Sequence, residues 1–416
     1  DSKIQSGILE SKDQYVIIDG DLKFYATEGI NEARQLIYQE NFTAKKGGFI
    51  LPEVVEKMER AQDQVIRAQW RGPFLITGPA GSGKTTLALH RVAYLMQAPE
   101  TAEFFTPDVI LVLVQDAKTK DYFSRLLPDL GIKNVTIQTF SEWALEILQL
   151  EGFKGDDAGG FETDYKYQQA KLFALRSPTN NATTKNIFAY LLKLYAPYFS
   201  KMDLETFAEQ QKNNILDRFD LTILLQNNKI KNGGLFSVKE YYEESAKGAY
   251  RKKKGSFPVV FNLAIVDEFQ NYLPEQLEII NGALNPRLQS AVYVGDVNQQ
   301  TRLGTIRSLS DMTIAISNDR KVVLEKVYRN TKEILSYINS IGFSVPVPPE
   351  LKSGPAVVIK NFASVPAECH FIAEQIRTGS FESVAILARH ENELSEYRKF
   401  FKSFPAVYCF SYQEAQ

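Results

Sequence analysis

Short apolar runs alternate along most of the chain with longer segments in which apolar residues recur at helical spacing. Continuous apolar runs bounded by turn signals are typical of parallel strands that are buried on both faces of a sheet. Such runs occur at residues 74–76, 109–114, 135–138, 263–266 and 291–294. Because helical patterns separate several of them, the alternation predicts a doubly wound α/β sheet with a ligand at the carboxyl ends of its strands.

Interruptions of this rhythm divide the chain into segments. Residues 15–18 and 22–25 alternate around an Asp-Gly-Asp turn and predict a β-hairpin. Aromatic-rich helical patterns replace the strand-helix rhythm after residue 150 and predict a mainly helical insertion. We therefore predict an N-terminal extension at 1–48, a first lobe at 49–150 and 263–320, the insertion at 151–262, and a second, incomplete α/β lobe at 321–416 with strands at 356–359 and 384–387.

Composition describes an ordinary globular protein. The 416 residues are 44% hydrophobic and 24% charged, which allows two or three domains with a large core. No apolar run approaches the ~18 residues that span a bilayer, and the N-terminus lacks a leader pattern, so we expect a cytoplasmic protein without membrane contact. Because the chain starts at Asp1 and stops directly after an apparent strand, we expect a fragment or a processed chain.

Charge and metal-binding residue types narrow the candidate chemistry. The formal net charge is -2, so a nucleic-acid-binding surface would be a local basic patch. Two cysteines and three histidines are scattered along the chain and predict neither a disulfide framework nor a His/Cys metal cluster. The basic run at 251–254 is either a phosphate-contacting loop on the insertion or a solvated turn.

An apolar run leads into the sequence TGPAGSGKTT, residues 77–86, and an amphipathic helical pattern follows it. Gly78, Gly83, Lys84 and Thr85 satisfy the pattern G-x-x-x-x-G-K-[ST] of a phosphate-binding loop. In such a loop backbone N–H groups approach the phosphates, the lysine neutralises the outer phosphates, and the hydroxyl reaches Mg²⁺. The alternative is a glycine-rich turn that only begins a helix. The predicted phosphate cradle comprises Gly78, Pro79, Ala80, Gly81, Ser82, Gly83, Lys84, Thr85 and Thr86.

Two carboxylates, Asp267 and Glu268, directly follow the apolar run at 263–266. A phosphate-binding-loop enzyme needs such a pair across the sheet from Lys84, because one carboxylate holds Mg²⁺ and the next polarises the attacking water. Gln270 stands beside them. Solvated carboxylates also commonly follow strands, and this is the alternative interpretation of the pair.

Six sequence blocks occur in an order that is more specific than any one of them. They are AQDQVIRA at 61–68, ALHRVAYL at 88–95, SRLLPDLG at 124–131 with Thr139 and Phe140, DEFQ at 267–270, GDVNQ at 295–299, and VYRN at 327–330. On these blocks the chain, from about residue 51 to its end, resembles the UvrD/Rep class of superfamily 1 helicase motors. Within that class it is most similar to DNA helicase IV and to the HelD-type ATPases that act on RNA polymerase. The resemblance implies two RecA-like lobes, ATP and Mg²⁺ as cofactors, and DNA as a partner.

The resemblance also implies roles for residues outside the phosphate cradle. Gln62 would read the adenine edge through paired donor and acceptor groups, and the Tyr328 ring would pack on the base. Arg329 would reach the γ-phosphate from the second lobe, so that ATP bridges the lobes. Gln270 and Gln299 would sense the γ-phosphate. The alternatives are a solvated helix residue for Gln62, a core residue for Tyr328, and a surface ion pair for Arg329.

The chain departs from the family pattern at three places. Residues 300–304, QTRLG, supply no aromatic side chain after motif III, where the family usually has one that stacks on a base. Thr86 stands where such motors often carry an arginine. The chain stops after 411–416, before the glycine of motif V, and motif VI with its second arginine is absent. We therefore expect this chain alone to bind ATP and to hydrolyse it poorly.

Three functional hypotheses follow from these patterns. The first is an ATP-driven motor that translocates on single-stranded or partly duplex DNA, with unwinding left open. The second is a HelD-like, ATP-gated remodelling factor that acts on RNA polymerase or another protein. The third is the motor component of a nuclease-linked system of defence against foreign DNA.

Overall fold

The computed structural model describes the chain from residue 11 to residue 402 with gaps. The described residues are 11–18, 21–29, 65–79, 81–130, 132–157, 160–161, 164–177, 186–244, 250–324, 330–349, 351–379, 381, 384–387 and 394–402. Near the N-terminus, β1 (Ser11–Ile18) and β2 (Asp21–Gly29) pair in antiparallel register, so the hairpin is longer than the alternation at 15–18 and 22–25 indicated.

A six-stranded, wholly parallel sheet confirms the predicted α/β fold class. Its strands, in spatial order, are β12 (Lys321–Val323), β3 (Pro73–Thr77), β11 (Ser290–Gly295), β10 (Leu263–Asp267), β4 (Ile110–Val114) and β5 (Thr136–Thr139). Every residue of β4, β10 and β11 is buried, which is why these strands are continuous apolar runs rather than alternating ones.

Two hydrophobic cores lie on opposite faces of this sheet. Along β10, Ala264 and Val266 join one core, whereas Leu263 and Ile265 join the other, because successive side chains of a strand point to opposite faces. Helices α1 (Lys84–Gln97) and α2 (Ala117–Asp129) pack in the second core, and α3 (Phe140–Leu148) packs in the first. None of the described helices is long and apolar enough to cross a membrane.

Between residues 151 and 262 the described residues form four helices and a long two-stranded ribbon. A two-residue parallel pair, β6 (Lys154–Gly155) and β7 (Ile215–Leu216), lies at the base of this region. The helices are α4 (Tyr165–Arg176), α5 (Ile187–Tyr195), α6 (Lys201–Lys212) and α7 (Arg218–Asn232), and the ribbon strands are β8 (Phe236–Glu244) and β9 (Tyr250–Pro258). The basic run at 251–254 lies within strand β9, so the loop and turn conformations predicted for it are wrong, whereas its contact with phosphates stays a prediction.

The chain returns to the sheet through β10, and α8 (Pro274–Gly282) then leads to β11. The predicted boundary at residue 321 is wrong, because β12 pairs with β3 and extends the first sheet. The Leu324 N–H also donates to the Thr77 carbonyl at 2.7 Å. The first lobe therefore continues to at least residue 324.

Beyond residue 330 the described segments contain three helices, α9 (Lys332–Ser340), α10 (Val365–Thr378) and α11 (Leu394–Phe401). Residues 356–359 and 384–387 are not paired with any strand in the described part of the chain, so the two strands predicted there are wrong. Their apolar side chains are exposed, to 67% at Ile359 and 91% at Leu387, because no described strand covers them. The second α/β lobe stays a prediction.

A fully buried cation, Lys171 of α4, ties the insertion together. Its Nζ lies 2.6 Å from Asp217 Oδ2 and 3.0 Å from Asp220 Oδ1, at the start of α7. Gln210 and the Tyr195 hydroxyl also donate to the Asp220 carboxylate. Burial and the neighbouring Asp217 carboxylate raise the pKa of Asp220 to about 6. The three charges depend on one another, since a buried charge without its partner is costly.

We predict that Lys171→Met destabilises the protein by about 3–5 kcal/mol, because it leaves two buried carboxylates without their cation. Equilibrium unfolding in urea measures the change. Lys166→Met, at an exposed position of the same helix, is the matched control and should stay within about 0.5 kcal/mol of the parent. Equal stability of the two variants would contradict the role assigned to Lys171.

Candidate nucleotide-binding site

Three central strands end side by side at one edge of the sheet. Thr77, the last residue of β3, pairs with Gly295 of β11, and Val294 of β11 pairs with Asp267, the last residue of β10. The loops that follow these strands therefore begin next to one another. Sequences that are far apart in the chain meet at the edge where open α/β sheets bind ligands.

The loop after β3 depends on glycines for its path. Gly78 has φ +148, and a Cβ atom there would lie 2.3 Å from the carbonyl oxygen of Leu324. Gly81 and Gly83 have φ 77 and 85, a region that favours glycine. Helix α1 then begins at Lys84, so its N-terminal N–H groups face the loop. The predicted cradle residue Ala80 lies outside the described residues.

The loop surrounds a buried cation and a buried hydroxyl. Lys84 is only 7% exposed, and its Nζ donates to the carbonyl oxygens of Gly78 at 2.8 Å and Pro79 at 3.0 Å. The Ser82 hydroxyl is buried and has no hydrogen-bond partner among the described residues. Buried polar groups are rarely left unsatisfied, so this donor fits a loop built to receive phosphate oxygens.

Thr85 and Asp267 form the oxygen pair expected of a magnesium site. The Thr85 hydroxyl donates to Asp267 Oδ1 at 3.2 Å, across 182 residues of sequence. Burial, with the adjacent Glu268 carboxylate, raises the pKa of Asp267 to about 7. A hydroxyl and a carboxylate fit Mg²⁺, which takes few protein ligands and completes its shell with phosphate oxygens and water.

A polar relay connects Glu268 to the loop after β11. Gln270 Nε2 donates to Glu268 Oε2 at 2.6 Å, and Gln270 Oε1 accepts from the Asp296 N–H at 3.0 Å. Gln299 Nε2 in turn donates to Asp296 Oδ2 at 2.7 Å. We call Glu268, Gln270, Asp296 and Gln299 the polar relay. The Glu268 backbone is left-handed, with φ 50, a costly conformation for a non-glycine residue that accumulates at functional sites.

Gly295 leaves the space that the relay needs. A Cβ atom at this position would lie 2.0 Å from Gln270 Oε1 and 2.9 Å from Phe269 Cδ1. Gln270 is 1% exposed and cannot move aside into solvent. The contact shows why the glycine of the block at 295–299 is required.

The loop after the relay is held by its own side chains and by the insertion. Gln300 Nε2 donates to the Thr305 hydroxyl at 2.8 Å, and Arg302 Nη2 donates to the backbone carbonyl of Asp157 at 3.2 Å. The Thr139 hydroxyl donates to the Asp157 side chain at 3.0 Å, and burial raises the pKa of that carboxyl. A half-buried arginine therefore contacts the insertion from the segment that, in the family pattern, usually carries an aromatic side chain.

The structure also assigns a role to Arg91, which sequence reasoning missed. Its guanidinium donates to four backbone carbonyls of the segment before β3, those of Val65, Ile66, Ala68 and Gln69. Burial, the largest cause, lowers the pKa of Arg91 to about 10, so the side chain remains charged at neutral pH. The available signal was a charged residue at a buried position of the helical pattern, seven residues after Lys84.

The remaining predicted site residues are placed as follows. Thr86 is half-buried in the first turn of α1. Gln62, Tyr328 and Arg329 lie outside the described residues, so their roles stay predictions. Asp296 was not among the predicted site residues, and it joins Gln270 to Gln299 through hydrogen bonds. The sequence feature that could have indicated it is its position directly after the glycine of the block at 295–299.

Comparisons with known proteins agree with this geometry. The profile of the UvrD/REP helicase N-terminal domain matches residues 58–301, more than half of the chain. The chain is 24% identical over 324 residues to the ATP-dependent DNA helicase PcrA of Bacillus subtilis, covering 70% of this chain and 40% of that protein. It is 23% identical over 308 residues to PcrA of Leuconostoc citreum, covering 68% and 39%. It is 24% identical over 334 residues to a probable DNA helicase II homolog of Mycoplasma capricolum, covering 73% and 44%. The chain thus spans less than half the length of these relatives.

We predict that Gly295→Ala destabilises the protein by about 1–3 kcal/mol, because the added methyl group displaces Gln270 and breaks its hydrogen bond with Asp296. Thermal unfolding measures the loss. Gly282→Ala is the matched control, because a Cβ atom there meets only the end of the Lys229 side chain, at an ordinary 3.7 Å from Cε and 3.8 Å from Nζ. If both variants unfold at the same temperature, the polar relay tolerates a side chain at position 295.

We predict that His90, buried in α1, makes stability fall as the solution is acidified. Burial lowers the pKa of His90 to about 4, so the unfolded chain takes up the proton first, below about pH 6.5, and stability is lost from there down to about pH 4. The loss due to His90 between pH 7 and pH 5 is about 2 kcal/mol. Urea unfolding of the parent and of His90→Gln at both pH values measures it. An equal loss in both proteins would contradict the assignment.

Proposed function

This chain belongs to the UvrD/REP helicase family, and on that premise we propose that it is the ATP-binding part of a superfamily 1 motor that hydrolyses ATP and moves along single-stranded DNA. The observation that carries the proposal is the joining of two distant motifs at one sheet edge. Thr85 of the phosphate-binding loop bonds to Asp267 at 3.2 Å, and Glu268 follows it directly. The relatives are ATP-dependent DNA helicases, which supports the same activity and partner for this chain.

In the proposed reaction the chain's own residues bind and orient the nucleotide. The Lys84 ammonium exchanges its bonds with the Gly78 and Pro79 carbonyls for bonds with phosphate oxygens, whose negative charge it neutralises. Thr85 and Asp267 would hold Mg²⁺, which supplies charge neutralisation at the β- and γ-phosphates. Glu268 would accept a proton from the attacking water as the water oxygen bonds to the γ-phosphorus. The bond from that phosphorus to the bridging oxygen breaks, and ADP leaves with that oxygen.

The polar relay offers a route from hydrolysis to the rest of the protein. The Gln270 side chain bonds to Glu268 at one end and to the Asp296 backbone at the other. A rearrangement of the Glu268 carboxylate would therefore shift Gln270 and, through Asp296, the loop that carries Gln299. We propose that this loop reports the presence of the γ-phosphate to the DNA side. Gln62 and Tyr328 would hold the adenine, and Arg329 would complete the γ-phosphate site from the second lobe.

A second candidate function is a HelD-like, ATP-gated remodelling factor that acts on RNA polymerase or another protein. The observation that favours it is Arg302, whose guanidinium bonds to the insertion at Asp157 in the segment where an aromatic side chain would stack on a base. In this arrangement the loop after Gln299 moves the insertion rather than a nucleic-acid base. The two candidates share the ATP site and differ in what the insertion grips.

We predict that Lys84→Ala weakens ATP binding at least about tenfold, because it removes the only positively charged side chain of residues 77–86, which would neutralise the phosphates. Binding of a fluorescent ATP analogue with Mg²⁺ measures this. Lys133→Ala, an exposed lysine in the loop before β5, is the control and should bind as the parent does. Unchanged affinity in Lys84→Ala would contradict the ATP site.

Stimulation of the parent's ATPase by a single-stranded oligonucleotide supports the motor, whereas an ATPase rate that the oligonucleotide does not change favours the remodelling factor.

A further inference from the structure

The ribbon formed by β8 and β9 projects from the insertion with little cover. From Lys239 to Glu244 and from Tyr250 to Lys254 every residue is exposed. Its root is held by the insertion: Gln149 donates to the Val238 carbonyl, and Asn228 bonds to the Phe236 backbone at 3.0 Å. The outer part presents its side chains to solvent on both faces.

The register of the ribbon sorts its side chains into two unlike faces. Tyr241 pairs with Lys253 and Glu243 with Arg251, whereas Tyr242 pairs with Lys252 and Glu240 with Lys254. Because cross-strand partners share a face and neighbours along a strand alternate, three cations and one carboxylate lie on one face. We call this the basic face: Lys239, Tyr241, Glu243, Arg251, Lys253 and Phe257. The opposite, neutral face carries two cations and two carboxylates: Glu240, Tyr242, Glu244, Tyr250, Lys252 and Lys254.

Ion pairing deepens this difference. On the neutral face Glu240 lies 2.5 Å from Lys252 and 3.8 Å from Lys254, so one carboxylate serves both cations. On the basic face Lys253 pairs with Glu243. Lys239 and Arg251 have no carboxylate within ion-pair distance among the described residues. The basic face therefore keeps uncompensated positive charge, and its one exposed ion pair is weak enough for another anion to replace.

An aromatic platform lies among these cations. Gly255 has no side chain, and the rings of Tyr241 and Phe257 pack over it at a centroid distance of 5.7 Å. A Cβ atom at Gly255 would lie 2.9 Å from both rings, so the glycine makes the platform possible. Tyr241 and Phe257 remain 37% and 39% exposed. Cations that track a backbone and rings that receive bases are the two components of a single-strand binding surface.

We propose that the basic face binds a single strand of nucleic acid, with Lys239, Arg251 and Lys253 on phosphates and the Tyr241 ring on a base. This surface is separate from the ATP site and is carried by the insertion. It deepens the proposed function by naming a second contact with the same nucleic acid. Arg251 and Lys253 are two residues apart on one strand, so their cationic groups are spaced along the ribbon as successive phosphates are along an extended chain.

The test compares two double variants of the same strand, Arg251→Gln/Lys253→Gln on the basic face and Lys252→Gln/Lys254→Gln on the neutral face. Each replaces two cations of β9 with glutamine, so the change in net charge is the same. Fluorescence anisotropy of a labelled single-stranded deoxythymidine oligonucleotide, without nucleotide and over a range of salt concentrations, gives the slope of log affinity against log salt. We expect the basic-face variant to lose about 0.7 of slope for each lost phosphate contact and the neutral-face variant to keep the parent's slope.

A second pair of variants tests the ring. Tyr241→Ala should weaken binding at least about fivefold, whereas Tyr242→Ala, the next residue and the more exposed tyrosine at 69%, should not. Equal effects of the two double variants, or no effect of either, would overturn the proposal, as would binding of duplex alone. Lys84→Ala should leave the slope unchanged, and the ribbon variants should leave ATP affinity unchanged. If the basic-face variant keeps the parent's slope while Lys84→Ala weakens ATP binding, this surface alone is refuted. If the basic-face variant loses slope while Lys84→Ala keeps the parent's ATP affinity, the ATP site alone is refuted.

Discussion

The burial of opposite charges at one sheet edge is the constraint on which the site depends. Asp267 and Lys84 are 4% and 7% exposed as residues, so their charged groups lose most of their hydration. The raised pKa of Asp267 reflects the free-energy cost of ionising a buried carboxyl group beside the Glu268 carboxylate. A cation bound between Thr85 and Asp267 would lower the electrostatic free energy of the ionised Asp267 carboxylate, so binding of such a cation would stabilise the folded chain.

That edge exists because of strand register. Parallel pairing aligns Thr77, Gly295 and Asp267 at the ends of β3, β11 and β10, and the apolar strands hold this alignment through two cores. The polar relay then needs an unobstructed path beside Gly295. The central strands thus position the site, and the groups proposed to touch the nucleotide lie at the end of β10, in the first turn of α1 and in the loops that follow the strands.

Much of the first lobe could be predicted from sequence because its signals are local. Continuous apolar runs indicate buried strands, and the spacing of Gly78, Gly83 and Lys84 indicates the phosphate-binding loop. The ribbon could not be predicted in this way, since its strands are exposed and charged and lack an apolar period. The three-residue strand β12 depends on its pairing with β3, and residues 356–359 are apolar although none of the described strands pairs with them. The bond from Gln270 to Asp296 depends on the register of β10 and β11, which no local pattern encodes.

Arg91 has a consequence for the order in which the chain folds. Its guanidinium is the hydrogen-bond donor for carbonyls that lie 22 to 26 residues earlier in the chain. Those carbonyls gain this partner only after α1 has formed and packed on the sheet, because the arginine projects from the buried side of that helix. The final position of the segment at 65–69 therefore depends on a helix that lies later in the sequence. On a ribosome residues 65–69 emerge before α1, so their carbonyls would lack the Arg91 donor until α1 has been synthesised and has folded.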